Sequence, residues 1–104
     1  VSKIYLFRQN NSGGSFVIDA EHGISVEVFV EAESAAQAND IAERIGVYFD
    51  GAGDCPCCGD RWYRVMDKYD TVATVGPREH LLRWSGDKPM GYFHRLDGTV
   101  EPVQ

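Results

Sequence analysis

No stretch of this sequence is apolar for anything near the roughly 18 residues a membrane-crossing helix needs, so no bilayer span is expected. The opening residues, VSKIYLFRQNN, lack the long apolar centre and small-residue cleavage site of a secretory leader, which makes the cytosol the expected location. Bases are scarce: 10 Lys and Arg stand against 16 Asp and Glu, a formal net charge of −6. That sign opposes nucleic acid, whose phosphates call for a basic face. Arg61, Arg64, Arg78, Arg83 and Arg95 form no run, which predicts separate solvated positions rather than a patch. The acidic surplus suits solubility, or docking to a basic protein. Repeats, linkers and low-complexity tracts are missing too, and 104 residues with 43 % apolar content make one domain, residues 1–104, with a single core.

What is present reads as strands around one helix. KIYLFRQNN and SFVID are strand-prone runs joined by Gly13 and Gly14, which predicts an N-terminal hairpin. The loop NNSGGS has neither the lysine nor the following helix of a phosphate-binding loop. ISVEVFVEA alternates, with Ile24, Val26, Val28 and Val30 on one face and Ser25, Glu27, Phe29 and Glu31 on the other, the pattern of a half-buried strand. In SAAQANDIAERIG, Ser34 and Gln37 form a capping box. Ala38, Ile41, Ala42 and Ile45 make an apolar stripe, and Gly46 supplies the left-handed stop. RWYRVM and DTVATV are further strand candidates, whereas REHLLRW fits either a strand or a helical turn. GYFHRL-DG-TVEPV predicts a hairpin turning at Asp97-Gly98, with Pro102 marking an edge strand. The predicted fold is a small α+β domain: an antiparallel sheet of hairpins, one main helix on a face, and a cysteine-containing loop.

The three cysteines lie together in DCPCCGDRW. Cys55-Pro56-Cys57-Cys58-Gly59 satisfies C-P-x-C-G, a zinc-knuckle spacing that lets two thiolates face one tetrahedral ion. A closed structural site needs four ligands, and no second cysteine pair exists. Cys55 and Cys58 would supply two, Cys57 a third, and a histidine or carboxylate the remainder. A second subunit completing the site leaves a homo-oligomer open. A redox pair is disfavoured by Asp54 and Asp60, whose charge opposes thiolate formation. Three packed thiols with no ligand are the remaining reading. Spacing alone does not choose among these.

His22, His80 and His94 are isolated in sequence, and no nucleophile motif accompanies them. His94 is the candidate fourth zinc ligand; on a strand it shares a face with Tyr92 and Leu96, away from Phe93. The aromatic residues exceed what one small core must hide, so an open face bearing Trp62, Tyr63 and Trp84 is the candidate interaction surface.

YLFRQNNSGGSF, VEAESAAQANDIAERIGVYFDG and CPCCGDRW together resemble a family of small uncharacterised proteins encoded by tailed bacteriophages, especially those infecting actinobacteria. The resemblance implies an accessory protein made in the cytosol of the bacterial host, and brings no activity. The reading is a binding protein rather than an enzyme, engaging a host or phage protein, with a cysteine loop stapled by structural zinc. Two alternatives stay open: a small metal- or thiol-dependent enzyme using the cysteines, and a nucleic-acid-binding module.

Overall fold

The VEVFVEA passage forms the middle of a five-stranded sheet. The structure, a computed structural model, describes residues 2–9, 18–47, 49, 62–66, 70–73, 75 and 89–103. Within them run β1 (Lys3–Arg8), a 3-10 turn (Ala20–His22), β2 (Glu27–Ala32), α1 (Ala35–Ile45), β3 (Thr71–Val72), β4 (Gly91–His94) and β5 (Val100–Val103). The spatial order is β3-β1-β2-β4-β5. β1 pairs antiparallel with β2 and β3, and β4 antiparallel with β5, but β2 and β4 run parallel. The expected all-antiparallel sheet is therefore a mixed one. The physical reason is that α1 and β3 come between β2 and β4 in the chain, so the two are not joined by a hairpin and nothing obliges them to run antiparallel.

The expected half-burial of β2 is also corrected. Val28, Val30 and Ala32 face α1, packing with Tyr5 and Phe7 of β1. Phe29 faces the other way, into a second cluster with Leu6, Met90, Phe93 and Val103. A strand apolar on both sides is a central strand. Alternation had marked the two faces correctly, but Phe29 makes the second one a core as well.

α1 forms as its capping residues dictate. The Ser34 hydroxyl accepts from the Gln37 amide at 3.2 Å, and the Gln37 side-chain carbonyl accepts from the Glu33 amide at 2.6 Å, one residue before the cap. Gly46 ends the helix at φ 116°. Ala35, Ala38 and Ala42 bury against the sheet, with Ile41 and Ile45 at the flank. Alanines at the contact bring the helix backbone close to β2.

The Asp97-Gly98 hairpin is present. The Arg95 amide donates to the Thr99 carbonyl at 2.8 Å, the Gly98 amide donates to the Arg95 carbonyl at 2.9 Å, and Gly98 adopts φ 96°. This is the three-residue loop whose last position favours glycine. From that closing pair, ladder bonds fall at Phe93–Glu101 and Gly91–Val103, so Pro102, opposite Tyr92, turns its donorless nitrogen to the outer edge.

Two expected strands differ. The return strand of the N-terminal hairpin falls largely outside the described residues, and β1 has β2 and β3 as its neighbours. Residues 62–66 belong to no ladder. They are held to the helix instead: the Asn39 carboxamide accepts from the Val65 amide at 2.9 Å and donates to the Val65 carbonyl at 3.2 Å. One side chain thus stands in for a strand partner, and the hold places Trp62 and Val65 in the helix-side core.

Asn39→Ala removes both bonds and strands the Val65 groups in a half-buried setting, so a loss of about 2 kcal/mol in urea-unfolding stability is expected. Asn39→Asp, which keeps the acceptor and loses the donor, is expected to fall between the two.

Candidate functional site

A helix with its side chains is about 10 Å wide and strands lie about 4.8 Å apart, so one helix covers roughly two strands of a sheet. α1 packs over β1 and β2. On the same side, the far end of the sheet holds a cleft of about 610 Å³ between α1, the 3-10 turn and the β4–β5 hairpin. Ile41, Ile45, Tyr92, Leu96 and Val100 give it apolar walls; His22, His94, Arg44 and Arg95 give it polar ones.

His94 stands where β4 meets this cleft. It is 5 % exposed, and its Nε2 donates to the Gly23 carbonyl at 2.7 Å. That bond fixes the tautomer of the neutral ring, leaving Nδ1 with the lone pair. Burial pushes the His94 pKa below its ordinary value, and the Gly23 carbonyl pulls it partly back. The contact demands glycine twice over. Gly23 has φ 70°, and a Cβ there would lie 2.7 Å from His94 Cε1 and 2.8 Å from Nε2.

His22, set aside in the sequence as an isolated residue, has a partner. Its Nδ1 lies 2.7 Å from Asp19 Oδ2, and its backbone amide donates to Asp19 Oδ1 at 3.3 Å. The His22 ring, as hydrogen-bond partner, holds the Asp19 carboxyl below the usual carboxylate range. The signal in the sequence was DAEHG, an acid three residues before a histidine in a turn closed by glycine. Arg44 carried no signal at all, because only the fold brings it to the cleft with Arg95. Arg95 is paired with Glu101 at 2.9 Å, which raises its pKa, and lies 5.0 Å over the Phe93 ring.

The expected interaction surface divides. Trp62 is 2 % exposed and belongs to the core, so it is no surface anchor; Asn39 draws its segment onto α1 and turns the indole inward. Tyr63 is 54 % exposed and Met66 59 %. Trp84 lies outside the described residues, as do Cys55, Cys57 and Cys58 and with them the zinc ligand set expected to include His94. Among the described residues no group of three or more His, Cys, Asp and Glu side chains is placed to hold a metal, and no helix is long and apolar enough to cross a membrane.

The Tyr63 segment borders a second hollow, of about 430 Å³, lined by Arg64, Val65 and parts of β1 and β3. The Arg64 guanidinium lies 4.8 Å over the Phe49 ring, and Phe49 packs on Phe7 with centroids 6.0 Å apart.

Among known proteins, the DUF7296 family, described as a domain of unknown function, matches residues 2–103. A search of the curated proteins and of the solved structures finds no match. The geometry nonetheless has a measurable consequence. A histidine whose folded pKa is depressed stabilises the fold fully above its unfolded value, about 6.5, and loses that contribution as pH falls toward the folded pKa. Unfolding free energy is expected to decline from pH 7 to pH 5, and the decline to shrink in His94→Gln. Asp19 and Asp97, whose folded values are lowered, lose their contributions only below about pH 4, outside that window.

Proposed function

We propose that this chain, which belongs to the DUF7296 family, acts by binding a protein partner rather than by catalysis. The observation that carries this is the segment Tyr63-Arg64-Val65-Met66. Tyrosine, arginine and methionine are residue types enriched at interfaces; Tyr63 and Met66 are more than half exposed, and Tyr63 and Arg64 line a hollow. Trp62 and Val65 anchor the same segment in the core, and Asn39 clamps its backbone. The exposed side chains therefore stand on a base already ordered before any partner arrives, which lowers the entropy cost of association. The phage resemblance of the sequence makes the partner a host or phage protein in the bacterial cytosol.

The same reading includes the cysteine loop as a structural staple. Cys55 and Cys58 hold a zinc ion, with Cys57 as a third thiolate, just ahead of the anchored Trp62. The support is the knuckle spacing C-P-x-C-G and its nearness in sequence to the binding segment.

Two experiments test these points. Proteins captured from bacterial lysate by the wild type and by Tyr63→Ser/Met66→Ser are compared by mass spectrometry, and the partner is then titrated as a purified protein. The double variant is expected to bind about tenfold or more weakly at unchanged melting temperature. Equal affinity for every captured protein would remove this surface from the reading. Metal content is measured on protein purified without chelator, beside Cys55→Ser/Cys58→Ser. Near-stoichiometric zinc is expected in the wild type and none in the variant; zinc-free wild type of equal stability ends the staple.

A further inference from the structure

We propose that the cleft between α1 and the β4–β5 hairpin binds a small amphipathic carboxylate, its apolar body against Ile41, Ile45 and Tyr92 and its carboxylate at Arg44. This site is separate from the Tyr63 segment. It follows from the sheet being wider than α1.

Three observations select the ligand class. The first is size: about 610 Å³ is in the range of pockets for small organic molecules, and apolar walls from α1, β4 and β5 converge on it. The second is charge. The chain carries −6, and among the described residues the charged side chains lining this cleft are Arg44, Arg95 and Glu21, with the two histidines beside them. With Arg95 paired to Glu101 and His22 to Asp19, the positive charge this cleft offers an anion is that of Arg44. The third is the state of each cation. Arg95 is occupied by Glu101, whereas Arg44 makes no ion pair or side-chain hydrogen bond among the described residues. A guanidinium at the rim with its donors available suits the paired oxygens of a carboxylate.

The C-terminus of α1 lies near Arg44, and bare helix carbonyls would repel an anion. Two of them have partners here. The Gly46 amide donates to the Ala42 and Glu43 carbonyls, and the Val47 amide to the Ala42 carbonyl at 3.0 Å. The floor is equally settled. His94 Nε2 is held by Gly23, so the ring is a fixed wall rather than a competing donor.

A carboxylate on an apolar body could be a fatty acid or the C-terminal residue of a peptide. Octanoate and N-acetyl-phenylalanine stand for the two, with octan-1-ol and N-acetyl-phenylalanine amide as uncharged counterparts. Each is titrated into the protein while the ring resonances of His22 and His94 are followed by NMR. At least one acid is expected to bind saturably and move both rings, about tenfold more tightly than its uncharged counterpart. Which acid binds more tightly identifies the source. Arg44→Gln should weaken that acid about tenfold and Arg44→Glu abolish it, both at unchanged melting temperature. Tyr63→Ser/Met66→Ser should bind it as wild type does, so failure of the protein-binding surface leaves this site standing. Failure of both acids to saturate overturns the proposal. So does an uncharged counterpart that binds equally well, or an Arg44→Gln protein with unaltered affinity.

Discussion

Among the described residues, one helix of 11 residues serves a five-stranded sheet. That shortage of cover shapes most of what is distinctive in the molecule. α1 lies over β1 and β2, and its alanines let it sit close enough for the valines of β2 to lose all contact with water. The rest of that face must be protected by other means. On the β1 side, residues 62–66 are pulled in to add Trp62 and Val65. On the β4 side, the 3-10 turn and the hairpin stand around a cleft without filling it.

Both supplements depend on a polar contact made at long range. Asn39 grips the backbone of Val65 from 26 positions away, and His94 reaches the carbonyl of Gly23 across 71. Neither is a strong bond by itself, since a hydrogen bond contributes about 1 kcal/mol net. Their weight lies in geometry. The first gives a chain segment without a ladder partner a defined depth and rotation, and so decides which of its side chains face outward. The second ties the sheet to the turn before β2, and its closeness excludes any residue larger than glycine at position 23.

Local signals in the sequence suffice where the physics is local. Ser34, Gln37 and Gly46 bracket the helix because free amides and carbonyls at its ends need partners within a few residues. Asp97-Gly98 announces its hairpin because the turn itself demands a left-handed residue. The placing of His94 with Tyr92 and Leu96, away from Phe93, follows from the two-residue period of a strand and holds in the cleft. That period says nothing of a strand's direction or neighbour, so the parallel β2–β4 pairing and the partners of β1 were not legible. Trp62 was misplaced for a related reason. Its burial depends on Asn39, a polar helix residue that no hydrophobic pattern connects to it. The cleft was invisible for the same cause: His22, Arg44, His94 and Arg95 are scattered along the chain and share a site only after folding.

The outer edge of β5 has a consequence for how the molecule behaves in company. An edge strand ordinarily offers a row of donors and acceptors to any passing extended chain. At Pro102 that row has a gap, since the nitrogen facing outward carries no hydrogen. A second sheet laid against β5 would lose a bond near the middle of a four-residue strand, leaving too short a ladder to hold. On the other side, among the described residues, β3 offers Thr71 and Val72. The sheet thus has a stop at one end and a stub at the other. At high concentration such molecules could crowd together without these two edges zipping them into a continuous sheet.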